Sequence, residues 1–198
     1  KIEHSIDKNG HYNPMWLGWR VLVGVPYDIP VAGFGGKTVN TLRLYTAKSS
    51  DEFDMEIFNE GDYFEAVKQK ISSENISKVL YPSDSFDAGR ELRLIQEYFL
   101  VACSIRDIVN QFQQTHDDFN SFPEKVAIQL NDTHPVLAIP ELMRFLVDEK
   151  NLPWEAAWDI TTRTFAYTNH TLLQEALEKW PVYILEHVLP RHMQIIYE

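Results

Sequence analysis

With one cysteine, Cys103, in 198 residues, the chain has no pair from which to form an internal disulfide, so nothing in it requires an oxidising compartment. Long apolar runs are also missing. None approaches the ~18–20 residues that a membrane-spanning helix needs, and the opening KIEHSIDKNG carries no signal-peptide core. A cytoplasmic location is the expectation. Positive charge is scarce: 18 Lys and Arg stand against 29 Asp and Glu, for a net charge of −11. That balance speaks against nucleic acid and against an anionic membrane as main partner, whereas a neutral sugar or polyol is indifferent to it. The sequence has no H-x-H, no H-E-x-x-H and no local Cys/His spacing for a metal. It has no G-x-S-x-G elbow for a nucleophilic triad, no low-complexity segment and no repeat at a solenoid period.

An ordinary globular composition is present instead, with 44% apolar and 24% charged residues. The length suffices for one sizeable core and allows one or two domains. The chain opens on Lys1 and closes inside an apolar-periodic pattern (Met193, Ile195, Ile196, Tyr197). Both features create the expectation of a piece of a larger protein, cut at both ends within the parent fold.

Trp16–Val25 and Val39–Ala47 read as strands, and PYDIPVAGFGGK between them as a turn-rich connection. Gly33-Phe34-Gly35-Gly36 is not a phosphate loop, because the lysine-containing motif and a following helix are lacking. Tyr63–Ser73 reads as a helix whose thin apolar stripe (Phe64, Val67, Ile71) suits a surface helix or one that packs on a partner. Tyr81–Gly89 is a loop. Glu91–Phe112 is the longest helix signal, with Leu92, Ile95, Phe99, Ala102, Ile105, Val109 and Phe112 at spacings of three and four. Cys103 inside it reads as a small buried hydrophobe, and His116 in the polar connection beyond reads as solvated.

The most informative stretch is VAIQLNDTHPVLAIPE, Val126 to Glu141. A short apolar strand ends in Asn131-Asp132-Thr133-His134, and after Pro135 a helix runs over Pro140–Lys150. Trp154–Arg163 is a second helix. The grammar then returns: a strand over Thr164–Thr168, then Asn169-His170, then a helix over Leu172–Trp180, with breaks at Pro181 and Pro190. Strand, helix, helix, strand, helix predicts an α/β fold with a parallel strand pair. Side chains at the carboxyl ends of such strands are where ligands bind in open α/β sheets.

Asp132, His134, His170 and Glu175 are therefore grouped as candidate site residues. Each also has a structural reading. Asp132 or Thr133, and Asn169 or Thr171, suit helix caps, Glu175 suits a first helical turn, and either histidine suits a structural hydrogen bond. The same four residues are legitimate Zn or Fe ligands. Their donors and acceptors equally suit recognition of sugar hydroxyls. Three functions stay in play on the residues alone: a sugar-acting enzyme, a non-catalytic carbohydrate-binding module, and a metal-dependent hydrolase built on His134 and His170.

The segments VNTLRLYTAK (39–48), ENISKVLYPSD (74–84), ELRLIQEYF (91–99), VAIQLNDTHPVLAIPELMR (126–144), AYTNHT (166–171) and EALEKWPV…LPRHMQIIYE (175–198) closely resemble the α-glucan phosphorylases of glycogen, starch and maltodextrin. The match is collinear over nearly the whole chain. It implies an internal part of the amino-terminal Rossmann-like domain of a two-domain, GT-B-type glycosyltransferase. Within it, residues 1–50 are strand-rich, 51–90 hold a tower helix and a gate loop, and 91–198 form the α/β part. The implied reaction is phosphorolysis of a terminal α-1,4-glucosyl unit by inorganic phosphate, giving glucose 1-phosphate. Pyridoxal phosphate is the implied cofactor, on a lysine outside this chain.

By resemblance, His170 is the catalytic-site histidine that hydrogen-bonds the glucosyl 6-hydroxyl, with Thr171 beside it in the substrate site. Asp132 and His134 line the pocket near the anomeric centre, and Asp84 is the acid of the gate loop. The family commonly has Asn at the next position, where this chain has Ser85, a shorter side chain without the amide. The helix from Tyr63 to Ser73 matches the tower helix of a homodimer contact. Nucleotide-regulated members carry two arginines where this chain has Asn110-Gln111, which predicts loss of AMP activation there.

Overall fold

A computed structural model describes residues 1–6, 12–18, 21–50, 63–174 and 177–198. They fall into two compact units, residues 20–100 and residues 1–19 with 101–198.

In the unit of residues 20–100, strands β3 (Leu22–Ala32) and β4 (Val39–Ser49) form an antiparallel ribbon. The Gly33–Gly36 stretch is its turn: Gly33 N–H donates to the Thr38 carbonyl at 2.8 Å, and Gly35 and Gly36 take φ of 76° and 69°. The prolines read as part of a connection lie inside β3 instead, Pro26 opposite Tyr45 and Pro30 opposite Thr41. They are four residues apart and so share one parity. In a two-stranded ribbon both can turn the side that lacks an N–H away from the partner strand. Asp28 and Arg43 face each other across it through two 2.7 Å hydrogen bonds. Helix α1 (Tyr63–Lys78) is longer than its thin stripe indicates. It buries Ser73 and Ile76 and leaves Val67 and Ile71 each 53% exposed. The acidic stretch preceding it lies outside the described residues.

Helix α2 (Asp87–Gln113) begins in this unit and ends in the other. Its buried positions are Leu94, Val101, Ile105, Val109 and Phe112. Cys103 is half-buried and its thiol is pushed up to about 11 by that burial, so it is an inert thiol. His116 is not simply solvated: its ring stacks on Phe112 at 4.9 Å.

The other unit holds an antiparallel hairpin of β1 (Ile2–Ile6) and β2 (Tyr12–Trp16). The single strand expected over Trp16–Val25 is thus two, parted at Gly18, whose φ of 70° is incompatible with an extended strand. After the short helix α3 (Phe122–Lys125) comes β5 (Ile128–Asn131), then α4 (Ala138–Arg144), α5 (Trp154–Thr164) and β6 (Phe165–Thr168). β5 and β6 pair in parallel, Ile128 opposite Phe165 through Asn131 opposite Thr168, as the strand–helix–helix–strand order predicts. Behind α4 the backbone widens into a π turn over Phe145–Glu149, where Lys150 N–H reaches the Phe145 carbonyl. α5 buries Ala157, Ile160, Thr161 and Thr164 at helical spacing. The two buried hydroxyls each donate to the carbonyl four residues back at 2.8 Å, so neither is left unsatisfied.

The core of this unit includes an aromatic cluster in which Phe112 meets Phe122 at 4.9 Å and Phe119 meets Phe145 at 5.7 Å. Beside it runs a chain of charges: Arg106 to Glu149, Glu149 to Arg144, Arg144 to Glu141, and Glu141 to His192 on α7 (Pro190–Tyr197). α6 (Val182–Val188) precedes it, and the breaks at Pro181 and Pro190 fall where expected. Among the described residues, no helix is long and apolar enough to cross a membrane.

The helix expected over Leu172–Trp180 is not formed in the residues described there, which are bends and a turn closed by Leu177 N–H on the Gln174 carbonyl. Leu172 and Leu173 are 101% and 61% exposed. Without burial of those leucines, the stretch lacks the tertiary packing that stabilises most short helices.

Candidate functional site

The carboxyl ends of β5 and β6 bring two loops together. Parallel pairing holds Asn131 opposite Thr168, and the Asp132 N–H continues the ladder by donating to the Thr168 carbonyl at 2.8 Å. Asp132 then turns left-handed, with φ of 58°, a conformation that Asp tolerates better than most side chains. The turn carries the chain out of the sheet and aims the carboxylate at the second loop. Oδ1 accepts the His170 N–H at 2.7 Å, and Oδ2 lies 3.5 Å from the Thr171 hydroxyl, which donates to it. Asn169 Oδ1 accepts the Thr171 N–H at 3.0 Å, tightening the loop further.

The His170 ring is held separately. Its Nε2 lies 3.2 Å from Asn131 Oδ1, and the residue is exposed. Asn131 is itself on the last strand position, and the neighbouring Gln129 amide donates to the Thr168 hydroxyl at 2.9 Å. Ring and backbone of His170 are thus fixed by two consecutive residues of the opposite strand end.

His134 takes a different partner: Nδ1 is 3.2 Å from Glu178 Oε1, with Glu178 largely buried and His134 45% exposed at the side chain. Among the described residues no hydrogen bond joins the two histidines. After Pro135 the loop tightens through Val136 N–H on the Thr133 carbonyl and Ala138 N–H on the Pro135 carbonyl, and α4 follows.

Asn131, Asp132, Asn169, His170 and Thr171 therefore form one hydrogen-bonded cluster, and His134, on the loop after β5, pairs with Glu178 from the segment after β6. The sequence reading singled out Asp132, His134, His170 and Thr171. Asn131 reads in the sequence only as the first polar residue after a strand ending at Leu130, and Glu178 goes unmarked. Asn131 was detectable in principle as the last strand residue, whereas Glu178 lay inside a stretch read as helix. Glu175 lies outside the described residues.

Asp84 and Ser85 sit on an exposed turn of the other unit. Arg90 fastens that turn, its Nε donating to the Asp84 carbonyl at 2.7 Å and its Nη1 pairing with Asp87 at 3.3 Å. Ser85 N–H reaches the Ser83 hydroxyl at 3.4 Å.

Chemically, the strand-end cluster offers carboxylate, amide, hydroxyl and imidazole groups without a lysine or arginine. That set recognises hydroxyls. It does not fit pyridoxal phosphate, which needs a lysine amine for its carbonyl carbon and donors for its phosphate.

Residues 1–198 match the family model described as carbohydrate phosphorylase. The chain is 54% identical over 206 aligned residues to glycogen phosphorylase, liver form, of Ovis aries, covering 100% of this chain and 24% of that protein. It is 54% identical over 191 residues to the muscle form of Homo sapiens, covering 92% and 23%, and 50% identical over 206 residues to the human liver form, covering 100% and 24%. The chain spans about a quarter of the length of these curated relatives.

Proposed function

The chain belongs to the carbohydrate phosphorylase family, and from that premise we propose that it works as part of an α-1,4-glucan phosphorylase. The parent enzyme uses inorganic phosphate to release glucose 1-phosphate from the non-reducing end of glycogen, starch or maltodextrin. Residues 1–198 form part of its amino-terminal Rossmann-like domain in a two-domain GT-B architecture, and the protein is cytoplasmic. The parallel pair β5–β6, with its polar cluster at the carboxyl ends, supports that assignment.

The single observation that carries the reading is the His170 cluster. An exposed imidazole fixed at both backbone and ring is prepared to meet a ligand hydroxyl without reorganising. In this reading His170 hydrogen-bonds the glucosyl 6-hydroxyl near the scissile bond, Asp132 and Thr171 hold its loop, and His134 lines the pocket. Asp84 and Ser85 belong to the gate that admits the glucan.

Pyridoxal phosphate would be held elsewhere in the parent, where its phosphate group would supply acid–base chemistry. No residue of the cluster described here would hold it. The enzyme is a homodimer with α1 at the contact, where Val67 and Ile71 stand exposed.

The deciding experiment is phosphorolysis of maltooligosaccharide by the intact enzyme and by His170→Ala. The variant is expected to lose roughly 10- to 100-fold in kcat/KM, the worth of one substrate hydrogen bond, with its melting temperature little changed. Turnover close to wild type would remove His170 from the mechanism.

A further inference from the structure

The way His170 is held determines more than its position. With the Oδ1 end of the Asn131 amide facing the ring at 3.2 Å, an oxygen that only accepts, the ring nitrogen beside it is the donor; the NH2 end in that place would reverse the roles. In a neutral imidazole one nitrogen carries the proton and the other a lone pair, and the partner of one nitrogen decides the role of the other. The other nitrogen, Nδ1, makes no hydrogen bond with any described residue, and the side chain is exposed. Both ends of the contact are anchored, Asn131 by the strand ladder and His170 by the 2.7 Å bond from its N–H to Asp132.

We propose that Asn131 is a specificity-determining residue that fixes the His170 proton on Nε2 and so presents Nδ1 as a lone-pair acceptor, which selects a substrate hydroxyl. The inference rests on the reading of His170 as a sugar-site residue. A lone pair at Nδ1 accepts an O–H. It repels any group at the same place that only accepts, such as fluorine, an ether oxygen or a phosphate ester. The site therefore distinguishes a free hydroxyl from an acceptor-only substituent by the sign of one hydrogen bond. The cluster contributes no lysine or arginine to offset that repulsion.

The test uses the intact enzyme in the direction of glucan synthesis. Glucose 1-phosphate is compared with analogues in which each remaining hydroxyl is replaced in turn by fluorine. Wild type is expected to lose about tenfold or more in kcat/KM for the analogue fluorinated at the position His170 meets, the 6-position in the reading above. In Asn131→Ala the proton is free to move to Nδ1, and the penalty at that position alone should shrink several-fold. Asn131→Asp, whose carboxylate also only accepts, should retain the penalty at mildly alkaline pH.

If a variant folds but turns over too slowly, the same comparison is read from equilibrium binding of glucose against its fluorinated analogue. An unchanged penalty in Asn131→Ala overturns the proposal, as does wild type that shows no penalty or Asn131→Asp that behaves like alanine. Failure of the underlying reading has another signature: an intact enzyme that forms no glucose 1-phosphate, or a His170→Ala variant with full activity.

Discussion

Nε2 of His192 lies 2.6 Å from Oε2 of Glu141, with side-chain exposures of 0% and 6%, joining α7 to α4. Burial pushes the Glu141 carboxyl up, but the hydrogen bond from His192 and the Arg144 guanidinium outweigh it and hold the group at about 2. A carboxyl depressed on folding stabilises the native state above its unfolded value and loses that contribution as pH falls through the folded value. The window therefore runs from about 4.5 down to about 2, and the linked stability is of the order of 3 kcal/mol. Acid unfolding followed by circular dichroism should fall steeply there for wild type. Glu141→Gln should be less stable at neutral pH and flatter across the window. Equal slopes for the two proteins would show that the pair does not carry the acid sensitivity.

Gly89 governs the turn that carries Asp84 and Ser85. A Cβ at Gly89 would overlap the Ser83 carbonyl group, a backbone neighbour that cannot swing aside. Helix propensity favours Ala over Gly by ~1 kcal/mol. Overpacking against backbone costs ~1–3 kcal/mol, so the clash wins or the turn moves. Gly89→Ala should therefore raise KM for glucan several-fold by displacing the Asp84–Ser85 turn, with at most a small loss in melting temperature. Unaltered kinetics would mean that the position of this turn does not control access.

The exposed pair on α1 tests the proposed assembly. Val67 and Ile71 are four residues apart, lie on one helical face and are each half exposed. Two glutamates there cost the isolated chain little, whereas inside an apolar contact they would be desolvated without partners. Val67→Glu with Ile71→Glu should convert the intact dimer to monomer in sedimentation velocity. A dimer of unchanged affinity would move the contact elsewhere.

Elements with one buried stripe or a strand run between helices were legible. α5 shows its core face as Ala157, Ile160, Thr161 and Thr164, and the parallel pair follows from the order of elements. Elements whose state depends on distant neighbours were not. Pro26 and Pro30 look like turn residues until the ribbon gives them free edges. Leu172–Trp180 carries a helical composition, but Leu172 and Leu173 stand exposed among the described residues. In the site, His170 and Asp132 stood out because polar residues followed short apolar strands. Asn131 stood in the same polar run, but nothing local marks that its side chain reaches across to another loop. His192 was equally opaque, because its partner Glu141 is 51 residues away.

Helix α2 also bears on the expected response to AMP. Asn110 and Gln111 are both exposed near its end, where nucleotide-responsive phosphorylases by resemblance present two arginines. Paired guanidinium groups bind a phosphate through charge-assisted bonds roughly twice as strong as neutral ones, and two amides supply no charge. The neighbourhood disfavours an anion further: the Gln111 amide is already turned to the Asp107 carboxylate at 2.9 Å. A phosphate arriving there would meet a negative group and would have to displace its hydrogen bond. Titrating AMP into the intact enzyme at subsaturating glucose 1-phosphate should therefore raise the rate less than about twofold, since each tenfold change needs about 1.4 kcal/mol of coupling. A larger activation that disappears in Asn110→Ala with Gln111→Ala would show that these amides do bind the nucleotide.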